Sequence, residues 1–199
     1  PSMAGHTMKG NSPRGHDHRL AWQELFDTSV SDTGTIETHR SHTPRELYGI
    51  PVESNAFDPD AVVEFTVKGR PAMQFEDCLG VCRHCTYLQT LEEIEALKAA
   101  TGWEDFTFAE AKEVGLRIVN RLRAFNLRHG IGPELDRPSP RYGSTPVDGP
   151  AKGVGIMPHF DKMVHDYYEQ MGWDRETSKP LPETLRKLGL EQVAADLWG

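Results

Sequence analysis

The sequence predicts a mainly α fold, an irregular multi-helix domain, on three observations. Two capping boxes, TLEE at 90–93 and TFAE at 107–110, stand at the head of helical segments. No alternating apolar–polar pattern persists long enough to write a strand. The connections between segments carry Gly and Pro, which end helices and turn the chain.

Residues 1–18 read as loop. Over 19–31, RLAWQELFDTSVS sets Leu20, Leu25, Phe26 and Val30 near helical spacing, with Trp22 beside them. SDTGTIETHRSH reads as irregular chain, and Thr43-Pro44 can start a short helix through Leu47, because Pro suits a first turn. In DPDAVVEFTVKGRPAMQFEDCLGVC, Asp58 or Asp60 can cap a helix, which Gly69 and Pro71 are expected to interrupt or kink. The next helix starts at Thr90, with Glu93 reaching back to the cap, and ends at Gly102. Thr107 and Glu110 repeat the device. Ala111, Val114, Ile118, Leu122 and Phe125 follow as one apolar face, and Gly130 stops the helix. Residues 130–157 form a long Gly/Pro loop, of a kind that is often functional. Pro158 opens PHFDKMVHDYYEQMG, with Phe160, Met163, Val164, Tyr167 and Met171 on one side. LPETLRKLG and EQVAADLW close the chain as short amphipathic helices, and there is no internal repeat.

A length of 199 residues suffices for one good core, and the chain reads as a single domain over 1–199. The formal charge of −8 argues against sequence-independent DNA or RNA binding, which needs a basic footprint. No run of about 18 apolar residues offers a membrane span. The start is polar, lacks an initiator Met and carries no secretory signal, so it reads like the interior of something longer. Three clustered cysteines are an odd number and too close for a disulfide scaffold. They fit a reducing cytoplasm and a metal or redox role.

All three lie in FEDCLGVCRHCTY, as Cys78, Cys82 and Cys85. They could be core residues, since a free Cys packs as a small hydrophobe. A structural zinc site needs four N or S ligands. Cys82, His84 and Cys85 are close, but His129, His159 and His165 supply no tightly spaced second pair. The C-x3-C-x2-C spacing matches the cluster motif of radical S-adenosylmethionine enzymes, in which three thiolates hold a [4Fe–4S] cluster. That family resembles an α/β barrel, whereas here two capped helices follow the motif with no strand between them.

A third pattern uses one cysteine and its upstream neighbours. Asp77-Cys78-Leu79-Gly80-Val81-Cys82 reads D-x-x-G-V-C. It resembles the D-x-x-G-L-C motif in the C-terminal helical part of tungsten-containing aldehyde:ferredoxin oxidoreductases. By that resemblance Asp77 would hydrogen-bond a pterin and Cys82 would ligate a [4Fe–4S] cluster; Cys78 and Cys85 fall outside the motif. The chemistry suits the residues. A charged acceptor strengthens hydrogen bonds from an amino-pyrimidine edge, Gly permits a tight turn, and a thiolate binds iron.

The resemblance extends along the chain. KGNSPRGHDH, residues 9–18, is similar to a family segment with a Ser-x-Arg-Gly-x-x-His core, here Ser12, Arg14, Gly15 and His18. It implies an acid/base or substrate-orienting role for His18, a residue type suited to proton transfer near neutral pH. His16 and Asp17 are neighbours that could tune it or be solvated. GLRIVNRLRAFNLRHG resembles the family's G-x-R-x-x-N-x-x-R-x-F-N-x-R-x-G helix, with Arg117, Asn120, Arg121, Asn126 and Arg128; a solvated basic face is the plain alternative. DRPSPR, residues 136–141, resembles the substrate-side loop after that helix.

The resemblance covers about the last third of the family's usual length. It implies a fragment, split subunit or excised C-terminal domain of a tungsten (or molybdenum) bis-pterin enzyme. Such an enzyme oxidises aldehydes to carboxylic acids and passes electrons through the cluster to ferredoxin or electron-transfer subunits. The remainder of the same oxidoreductase would be its first partner, and the chain alone is expected to be inactive. HTMKGNSPRGHDHR and GWDRETSKPLPETLRKLGL also resemble the tungsten subunit of benzoyl-CoA reductase, a reductive dearomatising member of the family. A helical interaction module without cofactor is the non-redox alternative.

Overall fold

The structure, a computed structural model, describes residues 9–11, 17–34, 45–50, 55–86 and 90–199. Ser12, Arg14, Gly15, His16 and the Thr43-Pro44 helix start lie outside the described residues. The described residues form helices and turns, and Trp173 and Pro180 pair as an isolated antiparallel bridge. The helices are α1 (Trp22–Val30), α2 (Pro59–Cys78), α3 (Arg83–Thr86), α4 (Thr90–Thr101), α5 (Phe108–Arg128), α6 (Pro140–Gly143), α7 (Met157–Met171), α8 (Pro182–Lys187) and α9 (Glu191–Trp198). None among the described residues is long and apolar enough to cross a membrane. The mainly α expectation holds.

Helix α2 is the axis of the fold. Asp58 caps it, its carboxylate accepting from the Ala61 amide at 3.0 Å, and Pro59 occupies the first turn. The expected interruption at Gly69 and Pro71 does not occur, because the helix runs unbroken to Cys78. Pro71 withholds the N–H that the Val67 carbonyl would accept, and tertiary packing offsets that loss. Gly115 of α5 lies directly against Pro71: a Cβ on Gly115 would sit 2.0 Å from the Pro71 carbonyl oxygen. The two helices therefore approach at a distance that only glycine allows.

Helix α5 opens as expected, with Thr107 and Glu110 forming both halves of the capping box. Its buried face differs from the expected one by a rotation of about one residue. Ala111, Gly115, Val119, Asn120, Arg123, Ala124 and Asn126 are buried, while Phe125 is 58% exposed. Polar side chains occupy that face because each has a partner inside. Asn120 accepts from Trp173 Nε1 at 2.9 Å, and Asn126 donates to the Asp32 carbonyl at 2.7 Å.

Helix α7 also packs against α2 and follows its sequence pattern. Phe160, Met163, Val164, Tyr167 and Met171 are all buried, and Gly172 ends the helix in the left-handed region. With Trp22, Leu25, Phe26 and Val30 of α1 and Trp173 they make the main core. Each large apolar side chain contributes roughly 1.5–3 kcal/mol by leaving water. Leu20 is excluded from it, at 52% exposure, because His18–Leu20 is a separate 3₁₀ turn. Arg70 is a fully buried cation in this core. It donates to the Asp27 carboxylate at 3.0 Å and to the Val30 carbonyl at 3.3 Å, and so joins α1 to α2. Within 130–157 the chain forms a short 3₁₀ turn, Pro133–Leu135, and α6, so the expected loop is partly helical.

Candidate functional site

The D-x-x-G-V-C segment forms the carboxyl end of α2. Asp77 sits on the last turn and Cys78 is the final helical residue. The Leu79 amide closes the end by donating to the Glu76 and Asp77 carbonyls. Gly80 then turns the chain back, with φ of 72° and its amide 3.3 Å from the Asp77 carbonyl. Nothing lies within 4 Å of a Cβ placed at Gly80, so the glycine is required by backbone conformation and not by crowding. The Cys82 carbonyl accepts from the amides of Cys85 at 2.7 Å and Thr86 at 3.3 Å, which makes the tight start of α3.

This turn leaves Asp77 and Cys82 both exposed and five residues apart across one reversal of the chain. Such a segment can offer a charged acceptor and a thiolate to one bound body. Cys78 differs, because its thiol lies 2.9 Å from the Phe75 carbonyl. Burial, with the Asp77 charge adding to it, pushes that thiol's pKa up, against thiolate formation. Cys85 lines a groove of about 470 Å³ with Leu79, Val81, Glu93 and Leu97. Among the described residues no three His, Cys, Asp or Glu side chains are grouped to hold a metal. Asp77 and Cys82 are the residues of this turn that could contribute to a cofactor site.

His18 lies elsewhere. It is 1% exposed, with its ring edge-on to Tyr142 at 5.2 Å and Nδ1 3.8 Å from Glu24. Beyond it the Trp22 amide donates to the Ala56 carbonyl, at the amino end of α2. Asp77 is at the other end of that helix, about 30 Å long at 1.5 Å per residue. Asp77 and Cys82 flank the one reversal at Gly80, and His18 lies apart from it, near Tyr142 and Glu24. Asp17 beside His18 is committed to Arg19, whose hydrogen bonds hold its carboxyl down to about 2.

Helix α5 contributes a buried node, while its Arg117, Arg121 and Arg128 are exposed, as expected of a solvated basic face. Arg123, which the sequence reading passed over in favour of the exposed Arg121, is fully buried. Its guanidinium donates to Asp136 at 2.6 and 3.3 Å and to Ser178, and Asp32 stands 3.7 Å away. Asp136 also takes the ammonium of Lys9 and the Tyr168 hydroxyl. Burial alone would raise the Asp136 pKa, but the two cations outweigh it and hold the carboxyl low. Arg117 and Arg128 are surface residues paired with Glu113 and Asp196. The sequence did carry one signal for Arg123, since the quoted helix pattern places its second arginine there.

A second group that the sequence reading assigned differently lies behind the Asp77–Cys82 turn. Glu93 was expected to cap α4 with Thr90. The described part of α4 begins at Thr90, and Glu93 is 8% exposed, near Thr86 and the fully buried Glu76.

Comparison with known proteins is consistent along the chain. Residues 3–190 match the family model for aldehyde ferredoxin oxidoreductase, domains 2 and 3. The tungsten-containing aldehyde ferredoxin oxidoreductase of Pyrococcus horikoshii is 31% identical over 151 residues, covering 74% of this chain and 24% of that protein. The proteins of the same name from Pyrococcus furiosus and Pyrococcus abyssi are 30% and 31% identical, each over 151 residues, covering 74% of this chain and 24% of each protein. The chain thus spans about a quarter of the length of the curated relatives it matches.

Proposed function

The chain belongs to the aldehyde ferredoxin oxidoreductase family, and from that premise we propose that it supplies one wall of a tungsten (or molybdenum) bis-pterin and [4Fe–4S] site. The observation that carries the reading is the reversal at Gly80, which exposes the Asp77 carboxylate and the Cys82 thiol on the same turn. In this reading the chain is the C-terminal domain of a larger oxidoreductase, and the remainder supplies the other cluster thiolates. The three free thiols suit a reducing, cytoplasmic setting.

Bound there, the metal–pterin and the cluster would supply two-electron oxidation of an aldehyde to a carboxylic acid and one-electron delivery to ferredoxin or an electron-transfer subunit. The chain's own residues do simpler things. Asp77 accepts hydrogen bonds from an amino-pyrimidine edge and fixes its orientation. Cys82 binds iron as the thiolate. His18 enters as a separate candidate for orienting substrate or moving a proton, in the part of the fold bounded by Tyr142 and Glu24.

The test is cysteine and aspartate replacement in the full-length enzyme, read by iron content, tungsten content and the electron paramagnetic resonance of the reduced cluster. Cys82→Ser should lower cluster occupancy, and Asp77→Asn should lower pterin and tungsten content with iron retained. Cys78→Ser and Cys85→Ser should leave the cluster in place. Equal loss of iron at all three cysteines would overturn the reading in favour of the radical S-adenosylmethionine motif. A full-length protein with no iron, tungsten or molybdenum would leave only a helical interaction module.

A further inference from the structure

Three lysines from three helices meet at one groove. Lys68 of α2, Lys112 of α5 and Lys187 of α8 line a space of about 360 Å³, and no Asp or Glu lines it with them. Its floor is apolar, made by Val67, Leu116, Met171 and Leu188. The walls are tied to one another. The Thr184 hydroxyl of α8 donates to the Gly172 carbonyl at the end of α7, at 2.8 Å. Arg117 Nε of α5 donates to the Leu188 carbonyl at 3.0 Å. The chain carries a formal charge of −8, so a groove whose charged residues are all cations runs against its overall sign.

Two of the three lysines lack a carboxylate. Lys68 is held by Glu64 at 2.5 Å and by the Gly49 carbonyl at 2.8 Å. Lys112 stands 6.0 Å from the centre of the Tyr48 ring and 5.9 Å from that of Phe108, and it has no ion pair among the described residues. Lys187, exposed on the last turn of α8, has none among them either. Ammonium groups above an apolar floor recognise a carboxylate carried on an apolar body. A free organic acid and an acidic protein segment both have that chemistry, and they differ in how firmly such a groove can hold them. An exposed ion pair contributes only about 0–1 kcal/mol, so a free acid would be held weakly. A segment tethered to this domain needs no such affinity, because its effective concentration is of roughly millimolar order. The chain spans about a quarter of the length of the relatives it matches, and on the reading above the remainder of the oxidoreductase is there to supply the segment.

We infer that this groove is a docking site for an acidic segment of the remainder of the oxidoreductase. An apolar side chain of that segment covers Val67 and Leu116, and its Asp or Glu pairs with Lys112 and Lys187. The inference rests on the reading of the chain as one domain of a larger enzyme, and it makes no use of the Asp77–Cys82 turn.

Carbodiimide cross-linking of the full-length enzyme, read by peptide mass spectrometry, tests it. The reagent condenses a lysine amine with a neighbouring carboxylate, forming an amide with loss of water. Lys112 or Lys187 should be joined to an Asp or Glu of the remainder. The double variant Lys112→Gln, Lys187→Gln should lose that link and keep its fold, since one position is half-buried, the other is exposed, and changes at such sites alter stability little. Acetylation of the native enzyme is a second readout that needs no variant: both amines should react more slowly than in the unfolded protein. Acetylation at the unfolded rate with no link overturns the inference. A link to a second copy of this domain overturns it too, as does slow acetylation with no link, which would mean an occupant other than an acidic segment. Metal content separates the two readings. A full-length protein without iron or tungsten would sink the cofactor role of Asp77 and Cys82 and leave the docking site standing, because the link is read by mass. A metal-loaded enzyme with no link would do the reverse.

Discussion

Arg123 and Asp136 form a two-pronged ion pair with both side chains fully buried, Nη2 lying 2.6 Å from Oδ2 and Nη1 3.3 Å from Oδ1. The pair ties α5 to the segment that follows it, and Lys9, Asp32, Tyr168 and Ser178 complete the node. Among the described residues its two carboxylates and two cations balance.

That balance sets the first prediction. Asp136→Asn leaves two cations facing one carboxylate in a dry site, and breaking a buried pair by removing one partner costs about 3–5 kcal/mol. Chemical denaturation should show a loss of that order. Arg121→Ala, on the exposed side of the same helix, should change stability by less than about 0.5 kcal/mol.

The same node predicts the direction of acid sensitivity. Asp136 is held below its ordinary pKa by Lys9 and Arg123 against the opposing effect of burial. A depressed carboxyl contributes stability that is complete above the unfolded value, about 3.9, and disappears as pH falls through the folded value. Thermal melting should therefore fall steeply below about pH 4. In Asp136→Asn this part of the acid dependence should be absent.

Gly115 gives a packing prediction. The 2.0 Å separation between a Cβ at this position and the Pro71 carbonyl oxygen leaves no rotamer that relieves the clash, because both atoms belong to or adjoin the backbone. Gly115→Ala must spread α2 and α5. The helix propensity gained, about 1 kcal/mol, opposes an overpacking cost of about 1–3 kcal/mol. The net effect should be destabilising in equilibrium unfolding, the reverse of what the same change does at an exposed helical glycine.

How far the sequence could lead depended on whether a residue's partner was local. The α7 face was legible because its burial follows one apolar repeat. The α5 face was not, since Asn120, Arg123 and Asn126 are buried by partners 53, 13 and 94 residues away. An apolar repeat alone points to Phe125 instead. The unbroken course of α2 through Pro71 comes with a close approach of Gly115, a residue of another helix. At the candidate site the Asp77–Cys82 motif was legible as a resemblance, while the burial of Glu93 was hidden by a capping-box pattern that fits it equally well.

His18 separates two roles by their different readouts. Packed against Tyr142 at 1% exposure, it should cost about 1–3 kcal/mol on replacement by Ala, through lost contacts and stranded polar neighbours. Its place at the opposite end of α2 from Asp77 means that the reduced-cluster resonance should be unchanged in full-length His18→Ala. A substrate-orienting role adds a further requirement: kcat must fall more than the folded fraction does. A kcat that tracks folded protein would restrict His18 to packing.

Gly80 separates conformation from crowding at the candidate site. It holds φ at 72°, and a Cβ there would touch nothing within 4 Å. Gly80→Ala therefore adds no clash, only the strain of a left-handed residue with a side chain, about 1–2 kcal/mol. The chain can escape that strain by unwinding the reversal, which would move Cys82 relative to Asp77. Global stability should fall by no more than that strain, while cluster content in the full-length enzyme should fall more than the melting temperature suggests. Gly80→Asn, a residue that tolerates the left-handed region, should restore most of the iron. Equal iron loss in the Ala and Asn variants would mean that the backbone angle at Gly80 is not what holds Cys82 in place.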